Sequence, residues 1–469
     1  TTEIYTLSLH DALPIWFKSS CQLHSSTRKK PVVINTGKLF ACSLCPEPGK
    51  LPDRSMPEYS VFLRNRNFLL YNIGQVFSQL ADRLIHITLI GIVYKMWPGS
   101  TQKLANVLFF TVAPAFIMSP VAGVYVDRLN KKSVLIGADL LRSIAVICMA
   151  FIIFSNAGFI PVCAAVFFIF ACACFFLPAK LAIIPELVGP DTYLMANSVS
   201  TMLWAISGML GFTSGAFIIE YIGIYKGLVL TAVIYLLSAT VVSLIVYHGK
   251  KSGAPKVKEI IKAAPKSFLQ DLKDGLLYLI RDKKALFAVG GFVIAMSLSG
   301  AIYVVGVVFI QDYTDSMTAS LGILGLFMAI GFMIGMFFFG KLGGRIRKST
   351  AIFTSFVAGG ALIILFEETL RRTGSMALSC AVIFFLGIAV SPIMISGNTL
   401  IHEAIDENMH GRVFSSIGVF MNAGFILLMF AGSKAAVIFG NGAVISACGV
   451  ILLMTGISGY AVSFRYLKR

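Results

Sequence analysis

Beyond about residue 67 the chain alternates between long apolar runs and short polar connectors. A helix that crosses a bilayer needs about 20 mainly apolar residues. Twelve such runs can be marked, starting near Phe68, Leu104, Ser133, Gly158, Ser198, Lys226, Ala285, Met317, Ser349, Ser375, Val413 and Ala435. Runs of this length with Gly and Pro inside them are helices in lipid, because a helix satisfies its own backbone polar groups. The pattern predicts an all-α membrane protein with twelve transmembrane helices.

One connector differs from the rest. Residues 248–284 are long and basic and follow the sixth run. The first part, KKSGAPKVKEIIKAAPKS, has a loop composition. The second part places Phe268, Leu269, Leu272, Leu276, Leu279 and Ile280 at helical spacing, with Ser267 as a possible N-cap. This reads as an amphipathic helix lying on the membrane face or packed on the protein itself. The chain therefore divides into a six-helix half at 56–247, the linker, and a six-helix half at 285–469. A motif repeats between the halves. Gly123-x-x-x-Asp127-Arg128-x-x-Lys131-Lys132 lies between runs two and three. Gly340-x-x-x-Gly344-Arg345-x-x-Lys348 lies between runs eight and nine, 217 residues later. Internal repeats of this kind are common in secondary transporters, and the two halves are expected to be pseudo-symmetric.

Composition agrees. The chain is 57% hydrophobic and 13% charged, with a mean hydropathy of +0.84, whereas soluble domains are about 25% charged. The formal charge of +17 could suggest nucleic-acid binding, but the basic residues sit in the connectors. Connectors on one side of the membrane hold 24 Lys and Arg, and those on the other hold six. The positive-inside rule then places both termini in the cytoplasm. Cys148, Cys163, Cys172, Cys174, Cys380 and Cys448 lie in apolar runs, where Cys acts as a small hydrophobe.

The first fifteen residues, TTEIYTLSLHDALPI, read as the translation of a sequencing-adapter oligonucleotide, and the first methionine is Met56. Residues 1–55 are expected to be a non-native or disordered segment and are set aside from the fold.

A charge at mid-bilayer costs about 2.5–3.5 kcal/mol on insertion scales, so an ionisable residue there is a functional candidate. In the first run Gln79, Asp82 and His86 share one helix face, with Arg83 about 100° round the helix. Low-dielectric surroundings favour the uncharged form of a carboxyl, a property that proton coupling needs. The alternatives for Asp82 are a fixed ion pair with Arg83 or His86, or direct substrate contact. In the third run Asp139 and Arg142 stand at i,i+3. Asp139 is about 9 Å from the basic end at 1.5 Å per residue, a depth suited to a partner for the basic-end motif. Glu220, Asp312, Asp315, Glu367 and Glu368 fall at the opposite ends of their runs and are expected to be solvated. His402, Glu403, Asp406 and Glu407 lie in a connector, and no metal site is read from them. Trp97 reads as an interface anchor, and Trp204 faces either a cavity or lipid.

G-x-x-x-D-R-x-x-K-K between the second and third runs, with two six-run halves and a basic central connector, resembles the major facilitator superfamily over residues 57–469. SQLADRL, GADLLRS, IPELVGPDTYLMANS and GRVFSS are similar to the drug-efflux branch that includes macrolide and siderophore exporters. The resemblance implies a latch. Asp127 would sit at the positive end of a helix of the other half, Arg128 would pair with a buried acid, and the basic end would close. The bland reading is that these charges only set topology. The second copy of the motif has Gly344 where the first has Asp127. Antiporters of the superfamily often carry G-P-x-x-G-G in run five. This chain has GFTSGA, with Phe212 in place of proline; Gly208, Gly211 and Gly215 remain as a small-residue stripe for helix packing.

The expected function is export of an amphipathic or hydrophobic small molecule by proton antiport with alternating access. The expected setting is a bacterial inner membrane, with the protein a monomer that needs no cofactor and binds no nucleic acid. Lysophospholipid or siderophore transport is the alternative within the superfamily. An intramembrane enzyme or a scaffold ranks lower, since the chain has no H-E-x-x-H.

Overall fold

The computed structural model describes residues 65–126, 128–189, 192–247, 273, 275–277, 283–343, 346–404 and 410–466. Residues 1–55, Asp127, Gly344 and Arg345 lie outside these. So does most of the 248–284 linker, of whose expected amphipathic helix only Lys273 and 275–277 are described, as helix.

Twelve helices, each long and apolar enough to cross a membrane, make up the fold among the described residues. In the first half they are α1 (Arg66–Met96), α2 (Thr101–Val126), α3 (Lys131–Phe154), α4 (Phe159–Leu187), α5 (Tyr193–Ile222) and α6 (Ile224–Ser243). In the second they are α7 (Lys283–Thr314), α8 (Ala319–Leu342), α9 (Lys348–Thr373), α10 (Met376–Ala404), α11 (His410–Phe439) and α12 (Asn441–Tyr466). Polar caps start the helices where the apolar pattern begins. Asn65 accepts from Phe68 N at 3.1 Å to open α1, and Asn130 accepts from Ser133 N at 3.1 Å to open α3.

The halves repeat one packing plan. In the first, α1 packs on α5 and α6, α4 on α2 and α3, and α3 on α6. In the second, α7 packs on α11 and α12, α10 on α8 and α9, and α9 on α12. Single glycines join α5 to α6 and α11 to α12. Gly223 has φ +82° and Gly440 has φ +85°, conformations that side chains disfavour. They are 217 residues apart, the interval that separates Gly123 from Gly340. The expected twelfth run began near Ala435. The residues from Ala435 to Phe439 belong instead to α11, since they continue its apolar pattern until Gly440 breaks the helix.

The two halves meet through α5 against α8 and α2 against α11. Apolar side chains remain exposed around the outside, among them Phe151, Ile160, Leu427 and Val437. In water this would be a large cost; in a bilayer it is the lipid-facing surface.

Candidate functional site

α1 has 31 residues, and Asp82 is sixteen residues from one end and fourteen from the other. At this mid-membrane level Asp82 meets Arg142 of α3. Arg142 Nη1 donates to Asp82 Oδ1 at 2.9 Å, and the Tyr235 hydroxyl of α6 donates to the same oxygen at 2.6 Å. Arg142 Nη2 lies 3.1 Å from Asp139 Oδ1, an ion-pair contact. The other Asp139 oxygen stands 2.6 Å from the Ser238 hydroxyl, and Ser78 donates to Oδ1 at 3.2 Å. Ser238 is also 2.9 Å from the Gly74 carbonyl, so its one proton serves one acceptor at a time. The Arg142 guanidinium lies over the rings of Phe176 and Tyr235, 4.3 and 5.1 Å from their centroids.

One guanidinium thus sits between two carboxylates, tying α1, α3 and α6 together. Arg142 and Asp139 are fully buried, whereas the Asp82 side chain is 30% exposed. That difference leaves Asp82 as the acid of the triad that lines a cavity.

The cavity beside it has a volume of about 220 Å³. Gln79, Asp82, Arg83 and His86 of α1 line it, with Lys180 of α4 and Trp204 of α5. The α4 wall adds Ile169, Phe170, Phe176 and Leu177. His86 meets the edge of Phe170 at a centroid distance of 4.8 Å. Arg83 and Lys180 approach the Trp204 ring from two directions, at 5.9 and 5.8 Å. The glycine stripe of α5 brings that helix close to Arg83. A Cβ at Gly208 would meet Arg83 Nε at 3.5 Å, one at Gly211 would meet Arg83 Cβ at 3.1 Å, and one at Gly215 would meet Leu84 at 3.0 Å. Phe212, in the proline position of the G-P-x-x-G-G pattern, packs on α8 at Gly325.

Several expectations need correction. The partner of Asp82 is Arg142, not Arg83 or His86. Arg83, one residue along, points towards α5, and His86 turns to Phe170. Asp139 shares Arg142 with Asp82 from about one turn nearer the basic end, at the level of Ser78. Lys180, which sequence counting placed in a connector, lies inside α4 and is nine-tenths buried in the cavity wall. Two acids expected in solvent are engaged. Glu367 is buried, accepts from Ser446 at 3.0 Å and pairs with Arg371 at 3.1 Å. Glu220 is the other, and it crosses between the halves.

Glu220 caps α8. Its Oε2 accepts from the backbone N–H groups of Thr318 at 2.6 Å and Ala319 at 3.0 Å, and Oε1 from Met317 at 3.3 Å. Thr318, the N-cap residue, does not use its own side chain as a cap; its hydroxyl donates to the Ala216 carbonyl of α5 at 2.7 Å. Nearby, Thr101 of α2 donates to the Ser433 carbonyl of α11 at 3.2 Å. These inter-half bonds lie at the charge-poor end.

At the basic end, Gly123 and Gly340 occupy the last turns of α2 and α8, and Lys348 begins α9. Arg128 is exposed and has no ion-pair partner among the described residues. Lys131 pairs with Glu186 of α4, which also accepts from the Tyr247 hydroxyl. Burial and the neighbouring carboxylate hold the Tyr247 phenol above its ordinary range. Lys131 and Lys132 stand at the positive end of α3, an unfavourable place for cations, and Glu186 offsets this for Lys131.

A family model described as the Major Facilitator Superfamily matches residues 71–427 and 287–469. The chain is 23% identical over 382 residues to an uncharacterized MFS-type transporter of Bacillus subtilis, YkuC, covering 78% of this chain and 86% of that one. It is 24% identical over 362 residues to macrolide efflux protein A of Streptococcus pyogenes, covering 74% and 84%. In fold it is similar to a bacterial homologue of the iron transporter ferroportin in an inward-facing state, with a TM-score of 0.65, 14% identity and coverage of 85% and 98%. The chain belongs to the major facilitator superfamily of membrane transporters, with relatives in its efflux branch.

Proposed function

We propose that the protein exports amphipathic or hydrophobic small molecules from a bacterial cytoplasm across the inner membrane, driven by proton entry, with both termini cytoplasmic. The observation that carries this reading is the triad of Asp82, Arg142 and Asp139, of which Asp82 and Arg142 line an aromatic cavity at mid-membrane. Two carboxylates sharing one guanidinium form a centre whose charge changes by one when a proton binds. Neutralising Asp82 removes one of the attractions on Arg142 and loosens the link between α1 and α3. The cavity face carrying Asp82 also carries the groups that would touch a substrate, so proton and substrate can compete for one local charge balance.

In this reading the conformation described is closed at the charge-poor end by the α5–α8 and α2–α11 contacts. Gly123, Asp127, Arg128, Lys131, Lys132, Gly340, Arg345 and Lys348 would act in the opposite closure, at the basic end. The exposed Arg128 supports this, since a latch residue is released when its own gate is open.

The test is transport by the full chain in proteoliposomes under an imposed pH gradient, with a macrolide and a dansyl-labelled alkyl amphiphile as probes. Accumulation of either probe against its own gradient, abolished by a protonophore, is the expected result. Accumulation that a protonophore leaves intact would remove the proton from the mechanism.

A further inference from the structure

The cavity holds more positive charge than its own acids neutralise. Asp82 is engaged by Arg142 and Tyr235, and Asp139 by Arg142, Ser78 and Ser238. Arg142 forms ion pairs with both of these acids, and its Nε donates to the Ala138 carbonyl at 3.4 Å. Arg83 and Lys180 remain. Neither forms an ion pair with a described residue, and Arg83 Nε is buried without a hydrogen-bond partner. Lys180 is nine-tenths buried. Both cations line the cavity and flank the one indole, Trp204.

An unpaired cation taken out of water carries a penalty of several kcal/mol. A weak contact with an indole face recovers only about 0.5–2 kcal/mol of it. Two such cations in one small cavity also repel each other. The arrangement is therefore incomplete until an anion enters. The guanidinium offers a fork of donors suited to a carboxylate, and the ammonium a movable point charge. The remaining wall is apolar and aromatic, with no further charged side chain beyond His86 and the triad. This chemistry fits an acidic group attached to an apolar body.

We propose that the carried substrate is an amphipathic anion whose acidic group docks between Arg83 and Lys180, with its apolar part against Trp204 and the aromatic wall of α4. This inference rests on the transporter reading above and narrows it. A cationic drug of the same size would meet two like charges, which is discrimination by repulsion.

The experiment measures binding to the full chain in lipid nanodiscs, in chloride buffer so that an inorganic anion competes throughout. The probes are three dansyl-labelled alkyl chains of equal length, ending in a carboxylate, a primary amide or an amine. Energy transfer from tryptophan to dansyl reports binding. The carboxylate is expected to bind at least tenfold more tightly than the amide, with the amine weakest. Arg83→Gln or Lys180→Met should each cut the carboxylate-to-amide ratio to about threefold or less. The conservative Arg83→Lys and Lys180→Arg variants should keep most of it, which separates lost charge from misfolding. Equal binding of carboxylate and amide, or tighter binding of the amine, overturns the anion inference and leaves the transporter reading standing. Failure of all three probes to bind or to be transported, together with failure of a macrolide, removes the transporter reading and this inference with it.

Discussion

Replacing Glu220 with alanine removes a helix cap that one half of the molecule supplies to the other. In the structure its carboxylate accepts from three consecutive backbone N–H groups at the start of α8, at 3.3, 2.6 and 3.0 Å. Those donors have no intrahelical partners, and the Thr318 side chain is committed to Ala216 rather than to the cap. A carboxylate at a helix N-terminus contributes up to about 2 kcal/mol in a partly buried setting. A hydrogen bond to a charged group contributes about 1.5–3 kcal/mol. These overlap, and water takes over part of the capping once the carboxylate is gone, so we take about 2 kcal/mol for the whole contact. That corresponds to roughly 30-fold in the ratio of closed to open forms at the charge-poor end. Only an interaction that differs between the two forms can shift the ratio, and separation of α5 from α8 breaks this one. Glu220→Gln keeps an acceptor and loses the charge, so its shift should be about threefold, half a kcal/mol to one. The assay is pulsed electron–electron distance measurement between spin labels at Tyr221 and Asp315, with the native cysteines replaced. Glu220→Ala should populate a longer distance strongly and Glu220→Gln weakly. An unchanged distance distribution in Glu220→Ala would show that the cap survives opening and does not act as a latch.

Two further outcomes follow from packing and charge. Arg142→Gln leaves the buried Asp139 and the half-buried Asp82 without their common partner and should destabilise the protein by about 3–5 kcal/mol, read as a large fall in Tm in detergent; adding Asp82→Asn and Asp139→Asn should restore at least half of it. Gly331→Ala puts a Cβ 2.0 Å from the Phe384 carbonyl where α8 crosses α10 and should cost about 1–3 kcal/mol or more, whereas Gly306→Ala, with open space around it, should leave Tm nearly unchanged.

Much of the architecture was legible because lipid imposes a simple rule. The twelve runs and the 217-residue repeat follow from apolar length and connector charge. Asp82 was legible for the same reason, since a lone carboxylate in the middle of an apolar run has a high cost. Its partner was not legible. Arg83 and His86 are near it in sequence, but helix geometry sends Arg83 to α5, and Arg142 comes from another helix by tertiary packing. Lys180 was hidden by its surroundings. It stands between Pro178 and Pro185 near the basic end, so sequence alone reads that stretch as a connector, yet α4 continues through both prolines. Glu220 and Glu367 look like ordinary end-of-helix charges until the neighbouring helices that use them are in place. In each case the pattern along one helix was readable, and the pairing between helices was not.

In the proposed function Asp82 links proton movement to substrate movement. The most direct test is accumulation of the dansyl-labelled alkyl carboxylate in proteoliposomes under an imposed pH gradient, wild type against Asp82→Asn. The wild type should concentrate the probe while the gradient lasts. The Asn variant should bind the probe and equilibrate it without concentrating it. If Asp82→Asn still concentrates the probe in response to the gradient, Asp82 serves only as the structural partner of Arg142, and protons are coupled elsewhere.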